Sequence, residues 1–249
     1  MPDTALMPDQ SLQASLMRDG FVFVHADVMR RALDTFGGLE DWQAFAGSWD
    51  DLDVDTYMAD GGRYRRRRHA VYACGVSDAI VRAAARPHYQ ALDYNPLNGG
   101  VARWFAPVEA SVGDGASMRA ILAFSRDLFC RLAPGTAQWA IEVHQFRIEA
   151  RPGTDGRPTP EGMHRDGVDY VLVLLVNRRN IVSGTTGILA PDGRELGRFT
   201  LTQPLDAALV DDARVSHGVT PVEAVDASAP AHRDVLVVTF KSDTQKIPS

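Results

Sequence analysis

The sequence predicts a mainly β fold with flanking helices, of the sandwich or jelly-roll kind. From Trp139 onward the chain breaks into many short apolar or alternating runs, divided every ten residues or so by turn signals such as Pro191-Asp192-Gly193. Residues 116–132 hold the strongest helical pattern, with Met118, Ile121, Leu122, Phe124, Leu128, Phe129 and Leu132 in one broad apolar stripe that Ala133-Pro134-Gly135 ends. A helix of that kind suits the outside of a sheet. Residues 1–60, by contrast, read as mostly helical.

In chain order, Asp9-Gln10-Ser11-Leu12 opens a short helix ending near Gly20, and Phe21-Val22-Phe23-Val24 reads as a buried strand. Asp27 is placed to cap a helix from Val28 to about Phe36, closed by Gly37-Gly38. A further helix is expected over Leu39 to Phe45, with Trp42, Phe45 and Trp49 packing into the core. Residues 78–91 read as helical, with Ile80, Val81 and Ala84 on one face. Between Tyr94 and Phe105, Asn95-Pro96 and Gly99-Gly100 demand a turn. Ala140 to Ala150 alternates as a strand. Residues 151–160 are too rich in Gly and Pro for anything but a loop, of a kind that suits a lid beside a site. Strands follow at about 168–176, 186–190, 197–202, 207–211, 215–219 and 233–241. The chain, 1–249, is taken as a single domain. Its mostly helical part, 1–60, packs on a β core at 61–242, into which the helix near 116–132 is inserted.

The net charge of -6 argues against a general nucleic-acid binder. No apolar run approaches the ~20 residues that span a bilayer, and no signal pattern opens the chain. Neither nucleic acid nor membrane is therefore expected as a partner. Cys74 and Cys130 lie in apolar surroundings without metal-ligand spacing; they are expected as buried free thiols, consistent with a reducing cytoplasm.

Chemistry concentrates around Glu161-Gly162-Met163-His164-Arg165-Asp166-Gly167, just before the apolar run Val168 to Val176. A His-x-Asp pair entering a strand would put an imidazole and a carboxylate on one face, able to share a cation. His217 is the best third ligand. Two His and one carboxylate on one face of an octahedral ion leave three positions open, the facial triad of non-haem Fe(II) oxygenases. Arg233 follows His217 by 16 residues and enters a late strand. In Arg65-Arg66-Arg67-Arg68, an extended backbone must send two side chains to each face. Either Arg65 and Arg67 or Arg66 and Arg68 would face a cavity, and the first pair is carried as the substrate candidate. Glu142 and Arg147 are plausible partners for a substrate's ammonium and carboxylate, and His144 could reach the same pocket. His25, His69, His88 and His232 read as surface or satisfied histidines.

The order His-x-Asp, then His, then Arg resembles the Fe(II)/2-oxoglutarate-dependent dioxygenases. The stretches 60–67, 94–101, 158–167 and 217–221 are similar to the bacterial group typified by L-isoleucine 4-hydroxylase, over roughly residues 15–242. That resemblance implies a double-stranded β-helix (cupin-like jelly roll) core and a hydroxylase of a small free L-amino acid, more plausibly an aliphatic one. The same chemistry on an N-substituted amino acid, a dipeptide or a peptidyl side chain is the alternative, and a non-catalytic metal-binding jelly roll the reading from another class. It implies Fe(II), 2-oxoglutarate and O2, with His164, Asp166 and His217 as iron ligands and Arg233 on the distal carboxylate of 2-oxoglutarate. A guanidinium suits that task because its fork binds a carboxylate bidentately. Val235 stands where many relatives place a Ser, so a second donor is sought in Gln145 or Thr239. Thr186 falls in a strand start that faces the cofactor in such folds. Asp166 argues for hydroxylation, because halogenases of the superfamily lack that carboxylate.

Overall fold

A computed structural model describes residues 8–151 and 153–243. The first part of the chain forms α1 (Pro8–Asp19), β1 (Phe21–Val24), α2 (Ala26–Asp34), α3 (Trp42–Gly47) and a 3-10 turn (Ser48–Asp51). Then come β2 (Arg65–Gly75), β3 (Val81–Arg82), α4 (Ala110–Gly113), α5 (Ala116–Leu132) and β4 (Gln138–Ala150). The remainder is strands: β5 (Tyr170–Arg179), β6 (Ile181–Ser183), β7 (Thr185–Leu189), β8 (Glu195–Thr200), β9 (Ala207–Asp211), β10 (Ser216–Val219), β11 (Val222–Ala224) and β12 (Ala231–Ser242).

The strands make a seven-stranded sheet, β1-β9-β5-β12-β4-β2-β3, antiparallel throughout. A three-stranded sheet, β10-β7-β8, and a pair, β11-β6, complete the jelly roll. Side chains alternate across the large sheet, and the alternation divides the labour. Ile141, Val143, Leu172, Leu174, Leu236, Val238 and Phe240 join one buried cluster with Met118, Ile121, Phe124, Leu128 and Phe129 of α5. Full burial of such side chains is worth ~1.5–3 kcal/mol each, so this face anchors the molecule. The opposite face turns Arg65, Arg67, Glu142, His144, Phe146, Val235, Val237 and Thr239 into a cavity.

Three local expectations need correction. Residues 78–91 are not a helix: Val81 and Arg82 pair with Ala73 and Tyr72, and the chain beyond is irregular up to the bridge between His88 and Arg103. Pro87 removes a helical N–H, and Val81 is exposed rather than core-facing. Asp27 does not cap α2. It lies in the first turn beside Arg31 at 2.9 Å, while Asp206 from a distant loop accepts the Ala26 N–H at 3.0 Å. Cys74 is buried but Cys130 only half-buried, both as free thiols. In the 151–160 loop, Pro152 lies outside the described residues, as do 1–7 and 244–249 of the expected domain. The loop is fastened rather than free: Gly156 exchanges backbone hydrogen bonds of 3.0 and 2.8 Å with Val222.

Candidate active site

His164 and Asp166 share a face for a reason other than strand alternation, because β5 begins only at Tyr170. His164 instead pairs through its backbone with His217 of β10, by hydrogen bonds of 3.0 and 2.9 Å. The loop that follows is held by one carboxylate. Asp212 accepts the N–H groups of Asp166, Gly167 and Val168 at 2.8, 2.8 and 3.2 Å. Gly167 closes the turn at φ +77, where a Cβ would lie 2.7 Å from the Tyr94 ring.

The resulting cluster is tight. Asp166 lies 3.7 Å from His164 Nε2 and 3.6 Å from His217 Nε2, and the three donor atoms all fall within 4.8 Å of one another. His164 Nδ1 lies 3.1 Å from the Gly162 carbonyl; donating there leaves Nε2 for a metal. Burial opposes charge on His164, but Asp166 and Glu161 outweigh it and raise its pKa to about 9. Burial and the adjacent His164 push His217 down to about 4, so its ring stays neutral. Burial opposes the Asp166 charge too, yet the two imidazoles hold its carboxyl well below the usual range. One carboxylate and two nitrogen donors converging at a cavity wall fit a divalent cation.

The cavity holds about 290 Å³. Its floor follows the strand register in rows of inward residues: Arg65–Ile148–Arg233, then Arg67–Phe146–Val235, then His69–His144–Val237. Arg233 is buried, with Nε and Nη2 lacking a hydrogen-bond partner among the described residues. Burial and the neighbouring Arg178 pull its pKa down to about 10, so it is a cation short of an anion. Thr239 lines the same floor but sits six residues further along β12, roughly 20 Å away at ~3.4 Å per residue, too far to share a ligand carboxylate with Arg233. Gln145 is on the other face, donating to Ser48 Oγ at 2.8 Å. Thr186 is buried in β7 but does not line the cavity.

The remaining candidates divide by strand face. Arg67 lines the cavity, its guanidinium 3.7 Å from the Phe105 ring centroid and 4.5 Å from that of Phe146. It approaches His144 Nδ1 at 2.8 Å, which makes that nitrogen the acceptor of a neutral imidazole. Burial and Arg65 pull the Arg67 pKa well below its ordinary value, and its Nε has no hydrogen-bond partner among the described residues. Arg65 also faces inward, but its charge is spoken for by Asp55 at 2.7 Å. Arg66 and Arg68 turn away to Glu149 and Glu109. Arg147 is a correction: its guanidinium leaves the cavity for Asp234 at 2.7 Å and Asp50 at 2.8 Å, because odd-numbered β4 residues face the helices. Glu142 does line the cavity, yet it is caged. His88 Nδ1 and His69 Nε2 lie 2.6 and 3.3 Å from Oε2, and Arg86 lies 3.4 Å from Oε1.

Sequence reasoning passed over this cage, which places His69, His88, Glu142 and His144 within reach of one another. Arg67 already occupies His144 Nδ1, and Arg86 and Arg103 add positive charge nearby, so the group reads as a hydrogen-bonded carboxylate rather than a cation seat. Sequence reasoning also passed over Gln90, Arg103 and Glu161. Gln90 donates to Asp166 Oδ1 at 3.2 Å and accepts from Arg103 Nη2 at 3.0 Å and Asn95 Nδ2 at 3.1 Å. The Asn95–Asn98 turn that fixes Gln90 was legible; its purpose was not.

A jelly roll with a two-His, one-carboxylate cluster and a buried unpaired arginine in one cavity is the arrangement of a non-haem iron oxygenase. Comparison with known proteins is more specific. A family model described as 2OG-Fe dioxygenase matches residues 46–239. The crystal structure of a bsmA homolog from Methylobium petroleophilum PM1 is 34% identical, with a TM-score of 0.87 over 97% of this chain and 96% of that one. The 3(1)-hydroxy-L-isoleucine 4-dioxygenase of Pantoea ananatis (strain AJ13355) is 24% identical over 239 residues, 93% of this chain and 95% of that protein. The Fe(II)/(alpha)ketoglutarate-dependent dioxygenase TqaL shares the fold, with a TM-score of 0.76 at 20% identity over 97% of this chain and 90% of that one. The chain belongs to the 2OG-Fe dioxygenase family, whose members use Fe(II), 2-oxoglutarate and O2. Among the described residues, no helix is long and apolar enough to cross a membrane.

Proposed function

We propose that this dioxygenase hydroxylates an unactivated C–H bond of a small free L-amino acid, an aliphatic one by preference. The observation that carries the reading is the pair of buried arginines, Arg67 and Arg103, each with an unpartnered Nε, in the same cavity as the metal cluster. Buried guanidinium groups with donors to spare call for a carboxylate.

His164, Asp166 and His217 would hold Fe(II), and Arg233 would take the distal carboxylate of 2-oxoglutarate, with Arg178 adding positive charge behind it. When bound, Fe(II) supplies the oxidative decarboxylation of 2-oxoglutarate to succinate and carbon dioxide, coupled to insertion of one oxygen atom into a C–H bond. The chain's own residues do the positioning. Arg103 reaches Asp166 through one Gln90 side chain, by contacts of 3.0 and 3.2 Å. A carboxylate seated at Arg103 therefore brings the side chain of a small amino acid to the metal. Val168, Val173, Val219, Val235 and Val237 give that side chain an apolar wall and keep water out. The amino-acid substrate named for the Pantoea ananatis relative agrees with this chemistry.

A succinate-release screen tests the reading. The purified protein with Fe(II), 2-oxoglutarate and O2 is offered the common L-amino acids, their N-acetyl forms and short peptides. One or more free aliphatic amino acids should drive succinate release above the substrate-free rate. Release driven only by peptides or N-acetyl forms would overturn it.

A further inference from the structure

Glu161 stands three residues before His164 and lines the cavity. Its side chain is only 8% exposed, Oε1 lies 3.6 Å from His164 Nε2, and Oε2 is buried with no hydrogen-bond partner among the described residues. A buried carboxylate oxygen with nothing donating to it is costly, so such an atom points to a missing donor. Neighbouring carboxylates do not share this state. Glu142 is enclosed by His88, His69 and Arg86, and Asp166 by Gln90 and the two metal-site imidazoles. In the same cavity, Arg67 and Arg103 are the mirror case, buried cations whose Nε has no hydrogen-bond partner among the described residues. Glu161 and Arg103 sense each other's charge, yet no hydrogen bond joins them among the described residues. One cavity therefore holds an acceptor without a donor and donors without an acceptor.

We propose that Glu161 accepts the α-ammonium group of the substrate while Arg67 and Arg103 hold its carboxylate, so that the site selects free α-amino acids over acids lacking the amino group. This deepens the amino-acid reading and rests on it. An ammonium group brings three N–H donors and a full charge, whereas an acylated nitrogen brings one N–H and none. Glu161 thereby sets both the class of substrate and which way round it lies.

Isothermal titration calorimetry under anaerobic conditions tests the proposal on the full chain loaded with Fe(II) and 2-oxoglutarate. The probes are the common L-amino acid that binds the wild type tightest and its deaminated counterpart, the same acid with hydrogen in place of the amino group. The wild type should favour the amino acid by roughly 30-fold or more, the factor expected for one buried charge pair. In Glu161→Gln that preference should collapse, with the amino acid weakened and the deaminated acid held within about threefold. Fe(II), titrated separately, should still bind at one ion per chain, its affinity shifted only by loss of the Glu161 charge 3.6 Å from His164 Nε2. Equal weakening of both probes, or an unchanged amino-acid affinity, would overturn the proposal. So would loss of Fe(II) binding, which would make Glu161 a brace for His164. If Glu161→Gln does not fold, equal wild-type affinity for the two probes overturns it and a large preference supports it. A wild type that binds no amino acid at all removes the underlying reading and the proposal together.

Discussion

The four arginines at the start of β2 give the sharpest test of how the cavity is built. Alanine at each position, one at a time, removes a side chain of known direction. Arg67 is buried, flanked by Phe105 and Phe146, and has a free Nε in the cavity. Truncating one member of a buried charge pair costs ~2–5 kcal/mol, or roughly 30- to 5,000-fold at ~1.4 kcal/mol per decade. Arg67→Ala should therefore raise the apparent KM for the amino acid by at least about 30-fold, with little change in folding, because Asp55 keeps Arg65 at 2.7 Å. Arg65→Ala acts differently. It leaves the fully buried Asp55 carboxylate with the Tyr57 N–H at 2.9 Å and Arg67, now its nearest cation, at 3.7 Å, and breaking a buried pair costs ~3–5 kcal/mol of stability. Arg68 pairs with Glu109, itself 60% exposed, and such pairs are worth ~0–1 kcal/mol, no more than about fivefold. Arg66, held to Glu149 at 2.6 Å and partly exposed, should likewise leave KM within about fivefold. Initial rates of succinate release against amino-acid concentration, with thermal unfolding of each variant, separate these outcomes. A KM change under fivefold in Arg67→Ala, or an equal one in Arg68→Ala, would refute the assignment of the inward face.

Arg233→Gln should raise the 2-oxoglutarate requirement by roughly 30- to 5,000-fold, read from rates at saturating amino acid; under threefold would return Arg233 to a structural role. Alanine at His164, Asp166 or His217 should abolish turnover while far-ultraviolet circular dichroism stays native, and full activity in any one would strike it from the ligand set. In the metal-free protein, Asp166 and Glu161 overcome burial and lift His164 to about 9, so an incoming cation must displace its proton. Co(II) affinity, measured calorimetrically, should accordingly climb about tenfold per pH unit from about pH 6 to 8, and a flat profile would contradict a protonated His164. Arg147→Ala should destabilise the fold by ~3–5 kcal/mol in urea denaturation, because Asp234 loses its partner, and should leave the amino-acid KM unchanged.

The seven-residue apolar stripe of α5 and the alternation in β4 were readable because burial imposes a period on sequence. The same period foretold that Arg65–Arg68 must split two and two. Which pair faces inward depends on the register of β2 against β4, and that is set by contacts far along the chain. Arg147 and Glu142 illustrate the limit. Both are charged and five apart on one strand, yet opposite parity sends one to the helices and the other to the cavity. The 78–91 segment failed for a different reason: alanines and a few apolar residues imitate a helix, while Pro87 and the pairing with β2 decide otherwise. Glu161, Gln90 and Arg103 carry no periodic signal at all. Their meaning lies in unpartnered atoms and a three-residue hydrogen-bond chain, which exist only once loops are brought together.

Insertion of oxygen into a small free amino acid at this site is decided by following both atoms of isotopically labelled O2. The protein is supplied with Fe(II), 2-oxoglutarate and the amino acid that best stimulates succinate release, and the products are weighed by mass spectrometry. One labelled atom should appear in succinate and the other in the amino acid, heavier by one oxygen, in equal amounts. Labelled succinate with the amino acid returned unaltered, for every amino acid offered, would contradict it.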